Sequence, residues 1–194
     1  MAYRYQSNSY NTSEYFMHEF SNTQELVDHL VVLKATVSAE SDKFFELDHG
    51  LQCAALLEKS DPLDIELQIA GLIHDLAHPW DGPGQPRHAT MGADAVRTIL
   101  GERVSALIAG HVPAKRFLVT TQPEYRDLLS PDSVMTLEAQ GGDLSLQEVV
   151  DFQSNPWWEA MVALRIADDG AKDPHAVVPE LEHWIDAIHS LSKV

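Results

Sequence analysis

A helical stretch that ends in His74 and Asp75 constrains the fold of this chain more than any other part of its sequence. Asp61 and Pro62 are typical of a helix start, so we predict Asp61 as the N-cap and Pro62 at the first helical position. The apolar residues that follow recur at the spacing of one buried helix face, namely Leu63, Leu67, Ala70, Ile73 and Ala77. His74, Asp75 and, one turn later, His78 would lie beside that face. A His-Asp pair alone is more often a surface feature than a metal site, so its meaning depends on the rest of the chain.

Helical patterns of this kind cover most of the chain. No convincing alternating segment is longer than a few residues, which argues against a β-sheet. We therefore predict an all-α fold, with residues 1–20 as an N-terminal arm and residues 21–194 as a single helical domain.

Two further predicted helices carry histidines. One runs over about residues 42–59 and has His49 on its buried face, where a lone histidine is usually a hydrogen-bonded core residue. The other runs over residues 102–109, because residues 110–113 contain a glycine and a proline that favour a helix end. This end would place His111 beside a loop, where its ring can turn toward a cavity.

The charge of the chain excludes several classes of partner. Its 30 acidic and 13 basic residues give a formal net charge of −17. A nucleic-acid surface needs a basic stripe and an anionic membrane attracts basic segments, so neither partner is expected. The chain has one cysteine, Cys53, and we see neither a membrane-spanning apolar run nor an N-terminal leader, which favours the reducing cytoplasm. A small anionic ligand would need a local cluster of the few cations.

Six candidate metal ligands come from five different helices or helix ends: His49, His74, Asp75, His88, His111 and Asp168. Several lie on apolar faces, where an unpartnered ionisable group is costly, and one metal centre would satisfy them together. Four imidazoles and two carboxylates suit two first-row ions better than one. Asp75 can bridge two ions through its two oxygens. His49, His74 and Asp168 would then hold one ion and His88 and His111 the other, and both ions would keep open positions for substrate or water.

These residues, in this order, resemble the HD-domain superfamily, most of whose members are metal-dependent phosphohydrolases. The second half of the chain resembles the phosphonate-degradation HD proteins in particular. The motifs that carry this resemblance lie at residues 111–118, 123–125, 129–134, 137–142 and 164–169. The likeness covers roughly residues 43–190 and identifies an HD-type helical bundle with a metal site in its core.

The resemblance implies a function, because those proteins are mixed-valent di-iron oxygenases, similar in chemistry to myo-inositol oxygenase. It implies an Fe(II)/Fe(III) pair and O2-dependent cleavage of the C–P bond of a small 1-hydroxyphosphonate, with release of phosphate. The expected substrate is 2-amino-1-hydroxyethylphosphonate or an N-methylated analogue. By family position the substrate contacts would be Lys115, His78, Thr136, Gln140 and Arg165. Lys115 also follows His111 by one helical turn, although a solvated surface lysine is the alternative.

The sequence departs from this family before the first histidine. The family has a Tyr-x-Gly-Glu lid there, whereas residues 37–46 contain no tyrosine and offer Glu40 as the candidate lid residue. Trp80, Trp157 and Trp158 are available for cation–π contact with a quaternary ammonium, although packing is the expected role of the last two.

Two other functions compete with the oxygenase. The chain could be an HD phosphohydrolase acting on a phosphate monoester or nucleotide through metal-activated water. It could also be a degenerate HD module that only binds a ligand or partner, but the complete ligand set argues against this. Metal identity separates oxygenase from hydrolase, and a monomer and a homodimer are both compatible with the sequence.

Overall fold

The computed structural model describes residues 18–37, 45–81 and 87–194, apart from the side chains of Asp81 and Asp132. Within these residues the regular structure is helical, with one isolated antiparallel bridge between Val37 and Phe45. The helices are α1 (Thr23–Leu33), α2 (Glu46–Ser60), α3 (Ile65–Ile73), α4 (His78–Asp81), α5 (His88–Leu100), α6 (Glu102–Thr121), α7 (Pro123–Arg126), α8 (Pro131–Ala139), α9 (Leu146–Ser154), α10 (Trp158–Gly170) and α11 (Leu181–Ser190). The predicted all-α fold is confirmed. None of the described helices is both long enough and apolar enough to cross a bilayer.

Helix α3 lies at the centre of the fold, packed against α2, α6 and α10, and α5 packs along α6. Ile69 and Ile73 of α3 are fully buried, as are Ile108 of α6 and Leu164 of α10. Fully burying one such aliphatic side chain contributes about 1.5–3 kcal/mol. This apolar contact holds together the helices that carry the candidate ligands.

Two glycines let α2 and α3 approach each other closely. A Cβ at Gly50 would overlap the carbonyl oxygen of Leu72, and a Cβ at Gly71 would overlap a leucine side chain of α2. His49 precedes Gly50, and His74 is the C-cap of α3. Contact between two backbones therefore sets the separation of these two histidines.

The predicted start of α3 was wrong. Asp61 is the C-cap of α2, and Asp64 is the N-cap of α3, where its side chain accepts a hydrogen bond from the Leu67 N–H at 3.1 Å. Leu63 lies in the intervening turn with 96% of its surface exposed. Both aspartates suit an N-cap, but Asp64 also binds the guanidinium of Arg103 at 2.6 Å, a contact between distant parts of the chain that local sequence does not reveal.

The predicted end of the helix before His111 was also wrong. Helix α6 continues to Thr121 through Gly110 and Pro113. Pro113 has no N–H to bond back along the helix, and an interior proline costs about 3 kcal/mol. The residues on both sides of Pro113, Val112 and Ala114, are buried, and Gly110 has no side chain, so Met161 of α10 packs directly against α6. This packing favours a continuous helix. His111 therefore lies in mid-helix, inside the core and not beside a loop.

The starts of three other helices are described, and part of the chain before α2 lies outside the described residues. Helix α5 begins at His88, and α9 begins directly after Ser145, which forms a capping box with Glu148. Helix α2 begins at Glu46, and residues 38–44, with the candidate lid residue Glu40, lie outside the described residues. Residues 18–20 of the predicted arm are described, and the Phe20 N–H donates to the carbonyl of Ala95 at 3.0 Å.

Candidate metal centre

The six candidate ligands converge in the core from five helices or helix ends. Asp75 follows α3 and keeps 12% of its side-chain surface exposed. The others are buried, and they come from α2, the end of α3, the start of α5, the middle of α6 and α10, in the order His49, His74, His88, His111 and Asp168.

One group of ligands forms around His49 and His74. Their Nε2 atoms lie 3.3 Å apart. Asp168 Oδ1 lies 3.3 Å from His49 Nε2, and Asp75 Oδ2 lies 3.2 Å from His74 Nε2. Four ligand atoms from three parts of the chain thus surround one point.

A second group forms around His88 and His111, whose Nε2 atoms are 3.0 Å apart. Asp75 Oδ1 lies 3.4 Å from His88 Nε2 and 3.7 Å from His111 Nε2. Asp75 therefore presents one carboxylate oxygen to each group, which is the arrangement of a carboxylate that bridges two ions.

Hydrogen bonds at the far side of the rings fix which nitrogen faces the centre. The Nδ1 atoms of His49, His74 and His111 lie 2.9, 2.8 and 2.7 Å from the backbone carbonyls of Ala171, Gly71 and Ile108. A carbonyl only accepts, so each Nδ1 carries the hydrogen, and in the neutral ring Nε2 carries a lone pair. Metal-ligating histidines are oriented in the same way.

The spacing of these nitrogens fits a metal ion. Two neutral rings with lone pairs on facing Nε2 atoms repel each other unless a cation lies between them. Two nitrogens each about 2.1 Å from one ion, at a right angle, are about 3 Å apart. The His49–His74 and His88–His111 separations of 3.3 and 3.0 Å match that value. The residues present therefore fit two metal ions.

Charges in the centre favour ionised carboxylates. Burial opposes ionisation of Asp75, but the charges of His74 and His78 outweigh it and hold its pKa well below the ordinary value. Burial likewise opposes ionisation of Asp168, and the charge of Arg165 outweighs it and lowers the pKa. Both carboxyl groups are thus kept in the form that binds metal.

In this environment the pKa values of His111 and His74 shift in opposite directions. Burial, together with His74 and His88, holds the pKa of His111 well below its ordinary value, which keeps it neutral. Burial also lowers the pKa of His74, but Asp75 and Asp168 outweigh it and raise the pKa well above the ordinary value. The two carboxylates thus stabilise positive charge beside His74, which a metal ion supplies as well as a proton does.

Lys115 lies on α6 one turn after His111 and is 2% exposed, so it is not a surface lysine. Its Nζ donates to Thr136 Oγ1 of α8 at 2.8 Å. Gln140 is the C-cap of the same helix, and its side-chain Oε1 is buried. The structure thus brings together Lys115 and Thr136, two of the expected substrate contacts.

Arg165 is directed at acidic side chains. Its Nη1 donates to Asp168 Oδ2 at 2.6 Å, its Nη2 donates to Asp169, and its Nε lies 3.2 Å from Tyr125 Oη. The guanidinium is buried among these partners at 4% exposure.

Comparison with known proteins shows the family. No family model matches the sequence. The hydroxymethylphosphonate dioxygenase of Gimesia maris is 33% identical over 160 residues, which cover 75% of this chain and 76% of that protein. The chain belongs to the hydroxyphosphonate dioxygenase family. The predicted resemblance to the phosphonate-degradation HD oxygenases is thereby confirmed.

Two further proteins are similar in sequence to this hydroxyphosphonate dioxygenase. The 1-hydroxy-2-(trimethylamino)ethylphosphonate dioxygenase (glycine-betaine-forming) of Leisingera caerulea is 28% identical over 152 residues, 74% of this chain and 77% of that protein. An uncharacterised protein of Acanthamoeba polyphaga mimivirus is 29% identical over 149 residues, 72% of this chain and 68% of its own length.

Glu46, which contacts the predicted site residue His78, was not predicted from the sequence. His78 Nδ1 donates to Glu46 Oε1 at 3.0 Å, and His78 Nε2 lies 3.5 Å from Asp75 Oδ1. Burial lowers the pKa of His78, but Asp75 and Glu46 outweigh it and raise the pKa to about 9. Glu46 precedes His49 by three residues, and this one-turn spacing is the signal that could have revealed it.

Two other polar residues join the Lys115 region. Ser133 is buried one turn before Thr136, and its Oγ lies 3.4 Å from Lys172 Nζ. Among the described residues, Cys53 contributes no atom to the groups of closely spaced candidate ligands, and burial raises the pKa of its thiol to about 12.

Trp80 and Trp158, which were considered for cation–π contact, lie in different parts of the fold. The ring of Trp80 stacks on His18, with 4.5 Å between centroids and 13° between planes. The ring of Trp158 packs against Phe117 and Phe152 in a separate apolar cluster, which supports the packing role.

Proposed function

We propose that this protein uses O2 to cleave the C–P bond of a small 1-hydroxyphosphonate at a pair of iron ions. The observation that carries the proposal is the position of Asp75, whose two oxygens face two separate pairs of histidine Nε2 atoms. Membership of the hydroxyphosphonate dioxygenase family supports the same reaction.

The proposed reaction balances with one O2 per substrate. A 1-hydroxyphosphonate R–CH(OH)–PO3H2 and O2 give the carboxylic acid R–COOH and phosphoric acid. The C1–H and C–P bonds break, the carbon is oxidised, and both oxygen atoms of O2 are reduced into the products.

The distances between the candidate ligand atoms suggest how the ligands divide between two ions. His49, His74 and Asp168 would hold one ion, His88 and His111 the other, and Asp75 would bridge them. A bound Fe(II)/Fe(III) pair supplies the redox chemistry that O2-dependent C–H cleavage requires. The backbone carbonyls of Ala171 and Gly71 keep the imidazoles of the first site oriented through their Nδ1 hydrogens.

The anionic end of the substrate would be held by Lys115. The protein carries a net charge of −17, so its long-range field repels an anion and local attraction must supply binding. A buried ammonium one turn from His111 supplies it beside the metals, and Thr136 orients it by accepting one of its hydrogens. His78, Gln140 and Arg165 remain proposed substrate contacts, and Glu40 a proposed lid residue.

The substituent at C1 is best tested as a series. The relatives from Gimesia maris and Leisingera caerulea are named for a hydroxymethyl and a trimethylamino-ethyl substrate, and both names contain a 1-hydroxyphosphonate. We propose this shared group as the recognised part, with 2-amino-1-hydroxyethylphosphonate or an N-methylated analogue as the substrate. Relative kcat/KM values for the hydroxymethyl, aminoethyl and trimethylaminoethyl compounds would rank the substituents.

The reaction is tested with protein purified and loaded with iron under anaerobic conditions. O2 uptake and phosphate release in equal amounts, slowed when the C1 hydrogen is replaced by deuterium, are the expected result. Anaerobic phosphate release from a phosphate monoester, with no O2 uptake on any of the three phosphonates, would instead support a metal-dependent phosphohydrolase.

A further inference from the structure

We propose that Tyr125 and Asp169, acting through Arg165, position Asp168 as a ligand of the His49–His74 metal site. The inference rests on the proposed function to the extent that Asp168 binds a metal ion. It assigns Arg165 a positioning role in addition to, or in place of, contact with the substrate.

The two oxygens of Asp168 have different partners. Oδ1 faces the metal site, 3.3 Å from His49 Nε2 and 3.8 Å from His74 Nε2. Oδ2 faces away from it and accepts from Arg165 Nη1 at 2.6 Å. The hydrogen bond at Oδ2 fixes the rotation of the carboxylate, and that rotation directs Oδ1 to the ion.

The Nε and Nη2 atoms of the Arg165 guanidinium are held by Asp169 and Tyr125. Its Nη2 donates to Asp169 Oδ1, and its Nε lies 3.2 Å from both Asp169 Oδ2 and Tyr125 Oη. The Tyr125 hydroxyl donates to Asp169 Oδ2 and so orients that carboxylate. The guanidinium cannot swing away from Asp168 without breaking these contacts together.

Helix geometry explains why one arginine serves both aspartates. Asp168 and Asp169 follow Arg165 by three and four residues, and both positions adjoin it on the helix surface. Adjacent residues of a helix project about 100° apart, so Asp168 turns into the core while Asp169 stays partly exposed. The planar fork of a guanidinium can bind two carboxylates at once, which an ammonium cannot do with the same geometry.

Tyr125 adds a link to another part of the fold. It belongs to α7 and not to α10, and its ring is buried in the apolar cluster that includes Phe117 and Leu137. The hydroxyl is therefore held in place by packing that does not depend on the metal site. This makes Tyr125 a fixed support for Asp169 and Arg165.

The test is metal binding to the full chain, measured by anaerobic titration with Fe(II) and, for its visible spectrum, Co(II). Tyr125→Phe keeps the ring and removes the hydroxyl, and Asp169→Asn keeps the shape and removes the charge. Loss of the hydrogen-bonding partner of a ligand typically weakens metal affinity about 10- to 100-fold. Arg165 is the direct partner of Asp168, and both variants keep it. We therefore expect a loss of no more than about 10-fold at the His49–His74 site in both variants, with the other site unchanged.

Two further variants separate geometry from charge and from general destabilisation. Arg165→Lys keeps the positive charge and should lose affinity at the same single site. Asp143→Asn breaks the exposed ion pair with Arg126 of α7 and should leave both sites unchanged. Wild-type affinity in Tyr125→Phe and Asp169→Asn would overturn the inference while leaving the function intact, as would equal weakening of both sites with a lowered Tm. A wild-type chain that binds no metal would overturn the proposed function as well.

Discussion

His29 Nε2 of α1 donates a hydrogen bond to the carbonyl of Leu76 at 2.8 Å. Leu76 follows Asp75, so this bond attaches α1 to the turn that carries both His78 and Asp75, the proposed bridging carboxylate. The His29 ring also lies against Trp80, with 5.0 Å between centroids. The turn is thus supported by a helix that contributes none of the six candidate ligands.

The first prediction concerns the pH dependence of this support. Burial lowers the pKa of His29, against the hydrogen bond to Leu76, and nearby His18 lowers it further. A histidine with a depressed pKa contributes stability that is complete above the unfolded value near 6.5 and is lost as pH falls below it. His29→Gln can keep a donor for Leu76 without titrating. Urea unfolding at pH 7.5 and 5.5 should therefore show a smaller loss of stability in this variant than in the wild type, and equal losses would contradict the role of His29.

The second prediction concerns the bridge. Asp75→Ala removes an oxygen from both ligand groups and should abolish binding of both ions, whereas His88→Ala or His111→Ala should mainly weaken one. Metal content after anaerobic loading and gel filtration measures this. Two ions retained in Asp75→Ala, or complete loss of both in all three variants, would not fit a bridging carboxylate.

The third prediction concerns the substrate anion. Lys115→Ala should raise KM for a 1-hydroxyphosphonate roughly 10- to 100-fold, the usual cost of a lost hydrogen bond to a charged group. Metal content should stay at two ions. Arg126→Ala removes the same charge from an exposed ion pair and serves as the control. A KM as low as that of the control would show that Lys115 does not hold the phosphonate.

The fourth prediction concerns the start of α3, where two aspartates compete for the role of N-cap. Asp64→Ala should destabilise the protein by about 1–2 kcal/mol at neutral pH, since it removes the cap and the partly exposed pair with Arg103. The hydrogen bonds from Arg103 lower the pKa of Asp64, so this stability is present above the unfolded pKa near 4 and is lost as pH falls below it.

Asp61→Ala is the matched control for that experiment, and its free energy of unfolding should change little. Equal destabilisation by both substitutions in urea at pH 7 would mean that Asp61 stabilises the helix start as much as Asp64 does. A difference between wild type and Asp64→Ala that persists undiminished at pH 3 would show that the charge of Asp64 is not involved.

Local patterns were enough to predict the fold class and the burial of His49. Three- and four-residue apolar spacing predicts helices whatever their tertiary arrangement, and an ionisable group on an apolar face predicts a partner. The course of α6 could not be predicted in this way. Pro113 argues locally for a helix end, whereas the packing that favours a continuous helix includes the contact of Gly110 with Met161, two residues about fifty positions apart in the chain.

In the candidate site, too, local sequence patterns revealed the residue types but not their contacts. The imidazole and carboxylate chemistry of the ligands was visible in the sequence, because each residue type carries it alone. The partners of Arg165 were not visible, although Asp168 and Asp169 are its close neighbours, since the direction of a long side chain depends on what surrounds it. Glu46 was missed for a similar reason, because its partner His78 lies on another helix.

The direct contact between Gly50 and the backbone of Leu72 has a consequence for ion selection. Side chains between helices can change rotamer and let the helices slide, but two touching backbones have no such freedom. The backbones that carry His49 and His74 therefore cannot move apart or together, which limits how far their Nε2 atoms can shift to follow the radius of a bound ion. We expect the first site to discriminate among divalent ions by size, and the stiffness of one helix crossing to set that preference.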